Sequence, residues 1–313
     1  MKQDRVLFIV GPTGIGKTAL AIKLAERLKG EIVSADSRQI YEFMTIGTAK
    51  PTKEELAAVP HHFIDIKTPD EYYSAGQFGS EARVCIVEIQ KRGMQPMVVG
   101  GSGLYIRALI DGLFEPKIAD ERVKTNLKKE AGENGISVLH SRLKTIDPRT
   151  AAKLHPTDSQ RIMRALEVFE VTGEPFSNFV DRKPQPAEFS PCIIGLTLER
   201  SELYKRIEER VDIMLELGLL DEVHELRKMG YGQDLNALQS VGYQEGFLYL
   251  DGKLSISEMA ALIKQKTRNY AKRQMTWFRK DERIDWVDLG KFDSLNEIAN
   301  FSHRLFESHG GQN

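Results

Sequence analysis

A complete phosphate-loop pattern, G-x-x-x-x-G-K-[ST], occupies residues 11–18, which read GPTGIGKT. A short, continuously apolar run precedes it (residues 6–10), and leucines at helical spacing follow it (residues 18–28). A glycine-rich loop between a buried strand and a helix directs its backbone N–H groups inward, and the helix N-terminus adds positive potential. The segment therefore predicts a binding loop for a di- or triphosphate, without indicating which of the two.

Each residue of the loop has an expected part in binding that ligand. Lys17 supplies a positive charge, and the Thr18 hydroxyl is the expected protein ligand of a Mg²⁺ ion. The predicted diphosphate-binding residues are Gly11, Pro12, Thr13, Gly14, Ile15, Gly16, Lys17 and Thr18.

Further short apolar runs alternate with helical patterns, which predicts an α/β fold with a mainly parallel sheet flanked by helices. Two of these runs, at residues 32–33 and 97–99, end close to Asp36 and Gly100. A third run covers residues 192–198. Because ligands gather at the carboxyl ends of parallel strands, we expect Gly11, Asp36 and Gly100 at one edge of the sheet.

The pattern becomes helical between residues 115 and 190, and no strand is predicted there. This predicts an all-helical insertion domain within the phosphate-loop core. Residues 1–114 then form the first part of the core, and residues 191–313 form its second part, with basic C-terminal helices. Beyond the run at residues 192–198 we expect only helices, one of them beginning at the capping box formed by Ser255 and Glu258.

Composition excludes several classes of protein. Lys and Arg number 44 against 45 Asp and Glu, so any nucleic-acid contact must come from a local basic face. Cys85 and Cys192 are too few for a disulfide scaffold. The N-terminal apolar run is too short for a signal peptide, and no uncharged apolar stretch reaches membrane-spanning length. We expect a soluble, cytoplasmic monomer that does not associate with a membrane.

Two features near the strand ends have more than one interpretation. Asp36 fits a helix cap or surface charge, a carboxylate associated with Mg²⁺, or a general base directed at the phosphate site. The turn at residues 100–105 fits either a close backbone approach to a ligand, with Ser102 as hydrogen-bond donor, or a plain tight turn. The residues alone do not decide either case.

Basic residues form two further candidate surfaces. One predicted helix carries Gln160, Arg161 and Arg164 on the side opposite its apolar residues. This polar side is either exposed to solvent only or a row of residues that contacts RNA. Residues 261–280 carry seven Lys or Arg and no acidic residue, which favours binding to a phosphate backbone. Tyr270 and Trp277 recur at heptad distance there and are expected to face the core.

Two pairs of residues are also ambiguous. Arg206 and Arg210 lie one helical turn apart. Either both are surface residues that pair with neighbouring glutamates, or one of them reaches the phosphate pocket. His61 and His62 lack partners at metal-ligand spacing and are interpreted as structural.

Taken together, several segments resemble bacterial tRNA dimethylallyltransferases, also called tRNA isopentenyltransferases. The resemblance runs from residue 6 to about residue 287, and the joint set of segments in this order is far more specific than the phosphate loop. The chain lacks the Cys/His finger after Phe278 that eukaryotic relatives often carry, so the bacterial type is the closer one. The segments are residues 11–18, 36–39 (DSRQ), 46–51 (IGTAKP), 100–105 (GGSGLY), 161–167 (RIMRALE), 241–243 (VGY) and 267–279 (TRNYAKRQMTWFR).

The resemblance implies a reaction and roles for residues. Dimethylallyl diphosphate would donate its five-carbon group to N6 of the adenosine beside the anticodon (A37), releasing pyrophosphate. Lys17, Thr18 with Mg²⁺, and Arg210 would stabilise the leaving pyrophosphate, while Asp36 would hold the adenine amine and take its proton. The implied contacts with the anticodon stem-loop of tRNA are Asp36, Ser37, Arg38, Gln39, Ser102, Lys124, Gln160, Arg161 and Arg164.

Two of these residues depart from the family pattern, since Lys124 replaces an expected arginine and Ser102 an expected threonine. Lysine cannot form the bidentate fork of arginine, which concerns the contact at Lys124 rather than the function. Three other functions compete: a metabolite or nucleotide kinase, a non-catalytic RNA-binding module with a relic loop, and a prenyltransferase acting on free adenine nucleotides. A kinase would not explain the basic surfaces. A relic phosphate loop should have a degraded sequence, whereas this one is intact. An enzyme acting on free nucleotides would need no helical insertion to bind so small an acceptor.

Overall fold

The computed structural model describes residues 5–113, 120–180 and 185–309. The chain divides into two compact units. The first combines the residues up to Ile110 with those from Ala187 onward, and the second spans Asp111–Pro186. The boundary predicted between residues 114 and 115 falls outside the described residues, and Ser190, predicted as the end of the insertion, is the first residue of a strand of the first unit.

The first unit is built on a parallel sheet, which confirms the predicted α/β fold. Within the described residues the sheet has six strands in the order β3-β2-β4-β1-β5-β6, and every neighbouring pair is parallel. The strands are β1 Arg5–Val10, β2 Gly30–Ser34, β3 His61–His62, β4 Gln95–Gly100, β5 Ser190–Thr197 and β6 Ile284–Asp288.

Strand β1 lies in the middle of this sheet, which explains its unbroken apolar sequence. Leu7 pairs with Met97 of β4 on one side and with Cys192 of β5 on the other. Helices cover both faces, so the residues from Val6 to Val10 are completely buried. A strand buried on both faces has no solvent side on which polar residues would alternate.

Helices surround the sheet and form the second unit. In chain order the described helices are α1 Lys17–Leu28, α2 Lys53–Ala58, α3 Ala75–Lys91, α4 Gly103–Ile110, α5 Glu121–Asn134, α6 Ile136–Ile146, α7 Pro148–Ala151, α8 Ser159–Thr172, α9 Phe176–Val180, α10 Arg200–Glu216, α11 Leu219–Lys228, α12 Tyr243–Leu250, α13 Ile256–Phe278 and α14 Leu295–Ser308. The capping box predicted for α13 is present, because the Ser255 and Glu258 side chains each accept from the other's backbone N–H.

The second unit is helical, as predicted, with α5 to α9 and no strand among its described residues. Its core is an apolar cluster that includes Leu127, Leu139, Leu143 and Leu166. The buried carboxylate of Asp147 caps α7 and also accepts from the backbone N–H of Ser177. Helices too short to be stable alone are thereby held together by apolar packing and one shared cap.

The prediction that only helices follow β5 is wrong, because β6 extends the sheet beyond it. The sequence of β6, IDWVD, alternates apolar and polar residues and so lacks the continuous apolar run of the other strands. The two-residue β3 was also not predicted, since it is too short for any periodicity. Its His62 ring nitrogen bonds the Glu31 carboxylate at 2.7 Å, a structural contact. Among the described residues, no helix combines the length and hydrophobicity needed to cross a bilayer.

Candidate active site

The glycine-rich loop connects β1 directly to α1, at the carboxyl edge of the sheet. Gly14 and Gly16 adopt left-handed backbone angles, with φ of 79° and 97°, which residues with side chains rarely adopt. These angles let the chain curl back over the N-terminus of α1. A wide turn therefore forms here because the sequence supplies glycine where the backbone needs it.

Lys17 begins α1 and lies inside the loop. Its Nζ donates to the backbone oxygen of Pro12 at 2.8 Å. The pKa of Lys17 is lowered to about 8, mainly because burial disfavours the charged form; the carboxylate of Asp36 raises it, and the positive charge of Arg210 contributes to the lowering. An ammonium group that has lost part of its hydration is stabilised in its charged form when an anion binds beside it.

Arg210 reaches the same loop from α10. Its Nη1 donates to Oγ1 of Thr13 at 3.3 Å, and burial lowers its pKa while Asp36 raises it. Helix α10 is fixed against the loop because Ile207 packs on Gly14, where an added Cβ would lie 3.0 Å from the Ile207 side chain. Of the predicted arginine pair, Arg210 is the member that reaches the phosphate loop. Its neighbour on the helix, Arg206, is exposed and pairs with Glu202.

Asp36 follows β2 and faces both cations. Its Oδ1 accepts from the backbone N–H groups of Arg38, at 2.9 Å, and Gln39, at 3.4 Å. This is the bonding of a cap, yet the same carboxylate acts electrostatically on Lys17 and Arg210. Asp36 can therefore cap its own turn and also act as a carboxylate of the cavity. The turn fixes the orientation of this carboxylate.

The turn after β4 forms hydrogen bonds with the turn that holds Asp36. The Ser102 hydroxyl accepts from the backbone N–H of Ser37 at 3.0 Å, and the Ser102 N–H donates to the Ala35 carbonyl at 3.2 Å. A Cβ on Gly100 would overlap the Ala35 carbonyl, so glycine is needed for this approach. The paired glycines thus bring two loops of the protein together.

Arg38 and Gln39, both predicted to contact tRNA, are engaged within the protein. Arg38 donates to the Asn236 carbonyl at 2.7 Å. The amide of Gln39 donates to the carbonyls of Thr48 and Ala49. Both side chains therefore brace the loop that follows β2.

Glu222 was not predicted, although it explains two of the sequence segments. Its carboxylate accepts from three successive backbone N–H groups (residues 45–47) and from the Tyr243 hydroxyl, the last at 2.6 Å. A Cβ on Gly47 would lie 2.5 Å from the Tyr243 ring. The segments IGTAKP and VGY are thus adjacent, and one carboxylate holds them together. Glu222 stands in an ordinary acidic stretch, so no local signal marks it.

A cavity of about 530 Å³ opens beside the phosphate loop. Thr13, Asp36 and Arg210 line its polar side, where α13 adds Lys266 and Arg273. The apolar side chains in its wall are Ile207, Val211, Met214, Val241 and Ile263. The cavity therefore combines a cationic region with an apolar wall along α10 and α13.

The basic run at residues 261–280 divides in two. In its first half Lys264, Lys266 and Arg268 form ion pairs with acidic residues of α10 and α12. Within the described residues, no ion pair is present for the second set, which is Lys272, Arg273, Arg279 and Lys280.

The expectation that the aromatic side chains of this run face the core is wrong for Trp277. That side chain is 43% exposed and covers Gly103. Tyr270 lines the cavity. Heptad spacing places Tyr270 and Trp277 on the same side of α13 as Ile263. That side of the helix lines the cavity at Tyr270 and is exposed at Trp277.

In the second unit the predicted RNA-facing residues lie on α8 and α5. Gln160 and Arg161 are exposed, and the Nε of Arg161 donates to Asp158 at 2.6 Å. Arg164 pairs with the buried Glu167 at 2.8 Å, and Lys124 approaches the same carboxylate at 3.9 Å. Each of these cations therefore already has an acidic neighbour within the unit.

A parallel α/β core defines a class of protein when a phosphate loop, two half-buried cations that contact this loop and a nearby carboxylate lie at its edge. Such a protein binds a phosphorylated ligand at the carboxyl edge of its sheet and has room beside it for a second reactant. Transferases that use a phosphorylated donor have this arrangement.

Comparison with known proteins identifies the family. The family model for IPP transferase matches residues 39–281. The tRNA dimethylallyltransferase of Geobacter metallireducens is 48% identical over 305 residues, covering 96% of this chain and 99% of that protein. That of Carboxydothermus hydrogenoformans is 48% identical over 298 residues, or 95% of each chain.

Solved structures agree with the sequence relatives. The full-length tRNA isopentenylpyrophosphate transferase of Bacillus halodurans aligns with a TM-score of 0.70 at 41% identity, over 97% of each chain. A eukaryotic dimethylallyltransferase acting on tRNA aligns with a TM-score of 0.75 at 29% identity, over 91% of this chain and 74% of that one. The chain belongs to the IPP transferase family.

Proposed function

We propose that this protein is a tRNA-modifying prenyltransferase. It transfers the dimethylallyl group from dimethylallyl diphosphate to N6 of adenosine 37, the base 3′ to the anticodon, and releases pyrophosphate. The observation that carries this proposal is a cavity beside the phosphate loop that Arg210 and Asp36 line, with the half-buried Lys17 inside the adjoining loop and in electrostatic contact with both. The names of relatives that share nearly half of its sequence support the same reaction.

The phosphate loop serves the leaving group. As the C–O bond of the donor breaks, its electron pair stays with pyrophosphate, and negative charge grows on the phosphate oxygens. Lys17 and Arg210 neutralise that charge from positions fixed by the Pro12 carbonyl and the Thr13 hydroxyl. Cations held in fixed positions stabilise such charge more strongly than solvent does, because they need no reorganisation as the charge develops.

The residues present fit a Mg²⁺ ion held mainly by its substrate. Among the described residues, no cluster of three or more His, Cys, Asp or Glu forms a metal site. Mg²⁺ binds through few protein oxygens together with substrate phosphates, and the half-buried Thr18 hydroxyl at the start of α1 is such a donor. When bound, the ion would add positive charge beside the leaving pyrophosphate.

Asp36 serves the acceptor. The exocyclic amine of adenine is a poor nucleophile, so it must be oriented against the allylic carbon as that carbon ionises. The amine proton passes to the Asp36 carboxylate, which its own turn holds in place. The adenine has to leave the anticodon-loop stack to reach this carboxylate, as in other enzymes that modify bases.

The apolar wall of the cavity fits the five-carbon group. Ile207 and Met214 lie on the same side of α10 as Arg210. A diphosphate at Arg210 therefore leaves the hydrocarbon tail beside apolar side chains, where burial is favourable. A kinase shares the phosphate loop, but its small phosphoryl group has no use for such a wall.

We propose two groups of tRNA contacts, one in each unit. In the first unit these are the exposed cations Lys272, Arg273, Arg279 and Lys280 of α13. In the second unit they are the exposed Gln160 and Arg161 and the half-buried Arg164 and Lys124. Both groups would contact the anticodon stem-loop. We propose that the enzyme acts as a monomer in the cytoplasm.

The test is a transfer assay with two labelled donors. Dimethylallyl diphosphate labelled in its carbon chain is incubated with an anticodon stem-loop that carries adenosine at position 37, and separately with one that carries inosine. We expect label on the adenosine substrate and none on inosine, which lacks the amine. ATP labelled at its terminal phosphorus is offered in parallel. Label from ATP on any acceptor, with the isoprenoid donor untouched, would contradict the proposal.

A further inference from the structure

Gln274 connects the phosphate loop to the turn after β4 through both ends of its side-chain amide. Its Oε1 accepts from the backbone N–H of Thr13 at 2.9 Å, and its Nε2 donates to the backbone oxygen of Gly101 at 2.9 Å. The side chain is only 7% exposed and comes from α13. Both polar ends of the buried amide are therefore satisfied, and each bond goes to a different loop of the site.

The fit around this amide is tight. A Cβ on Gly101 would overlap the Gln274 Nε2 and lie 3.3 Å from the Gly11 carbonyl. Glycine at position 101 therefore leaves just enough room for the amide to reach both loops. A shorter side chain at position 274 would not span them, and a carboxylate would lack the donor that Gly101 requires.

The two hydrogen bonds of Gln274 form a bridge between the loops, and further contacts lead from each loop to Arg210 or Asp36. On one side, Thr13 accepts from Arg210 through its hydroxyl. On the other side, the residue after Gly101 is Ser102, whose hydroxyl holds the backbone N–H of Ser37, next to Asp36. The chain of contacts thus runs from the leaving-group cation to the carboxylate of the acceptor side.

From this geometry we infer that Gln274 is a positioning residue, which fixes the distance between the diphosphate loop and the Asp36 turn. This inference rests on the proposed function. An allylic carbon that loses pyrophosphate is captured by whichever nucleophile is nearest. When the two loops separate, water replaces adenine: the water oxygen bonds the carbon, the C–O bond to pyrophosphate breaks, and a proton leaves. The product is then dimethylallyl alcohol.

The experiment compares Gln274→Met with the wild-type protein, on full-length tRNA with both substrates saturating. Methionine keeps the length of the side chain and removes both hydrogen bonds. We expect kcat for transfer to fall about 10- to 100-fold per folded molecule, because small displacements of reacting groups cost this much. We also expect the ratio of alcohol released to adenosine modified to rise about tenfold, since water reaches the intermediate. The KM values should change little.

Two further variants make the test independent of folding. Gly101→Ala leaves Gln274 in place but displaces its amide, and should reproduce the raised alcohol ratio. Combining it with Gln274→Met should add little, since both break the same bridge. Gln265→Met alters an exposed glutamine of the same helix and should behave as wild type.

The outcomes separate the inference from the function. Wild-type protein that fails to transfer would reject the proposed function itself. If wild type transfers, a Gln274→Met protein with a lowered Tm but an unchanged kcat and alcohol ratio would overturn the positioning role. A weaker tRNA affinity with an unchanged alcohol ratio would also overturn it, because Gln274 would then contact the RNA.

Discussion

The cations at the phosphate loop and those of helix α8 differ in the groups that neutralise them. Lys17 and Arg210 bond a backbone carbonyl and a hydroxyl, and their carboxylate, Asp36, acts on them without a direct bond. On α8, by contrast, Arg161 and Arg164 each pair with an acidic residue three positions away.

This difference indicates which charges are held ready for a ligand. Burial lowers the pKa of both cations at the phosphate loop, and an anion beside them favours their charged forms. The α8 arginines already form ion pairs within the protein, so binding a phosphate exchanges one anionic partner for another. We therefore expect large effects of substitution in the cavity and small effects on α8.

The largest effect is expected for Asp36→Asn. Asparagine keeps an oxygen that accepts from Arg38 and Gln39, so the turn remains, but it cannot take the amine proton. Single-turnover transfer at pH 7 should fall about 10²- to 10⁴-fold, the usual contribution of a general base. The affinities for donor and tRNA, measured separately, should stay close to wild type. Loss of either affinity would instead make Asp36 a structural or metal-binding residue.

An intermediate effect is expected from the titration of Lys17. Its pKa of about 8 lies below the ordinary lysine value, and a bound diphosphate favours the charged form. The contribution of Lys17 to donor affinity should therefore be constant with pH below about pH 8 and fall above it, by at most about tenfold per pH unit. Calorimetric Kd values for dimethylallyl diphosphate between pH 7 and 9.5 measure this.

The control for that titration is Lys17→Arg, because a guanidinium stays charged over the whole range. Its donor affinity should not fall across this interval. An equal fall in the variant would assign the titration to another group and remove the contrast between the two regions.

The smallest effect is expected for Arg161→Gln on α8. tRNA affinity should weaken only about two- to fivefold, and the salt slope should decrease by about one phosphate contact. Lys128→Gln, on the exposed side of α5, is the matched control and should leave both unchanged. An unaltered salt slope for Arg161→Gln would mean that α8 does not face RNA. A loss as large as that of Asp36→Asn would show that α8 is not a peripheral region.

Much of the fold could be predicted because its signals are local. Strand β1, the loop at residues 11–18, and helices α1 and α13 each carry their pattern within about 20 residues, in apolar periodicity, glycines or a capping box. The helical character of the second unit is equally local. Strand β6 was missed because an edge strand keeps a solvent side and so loses the unbroken apolar run.

The site was predicted less completely, since its contacts join distant segments. The amino-acid sequence by itself determined the phosphate loop, the carboxylate after β2 and a pair of arginines on one helix. Only the tertiary structure decided that Arg210 rather than Arg206 reaches Thr13, because that choice depends on Ile207 packing against Gly14. It likewise divided the basic run of α13, where acidic residues of α10 and α12 neutralise one half. Periodicity determines which residues share a face, but which group meets that face is decided by packing between elements far apart in the chain.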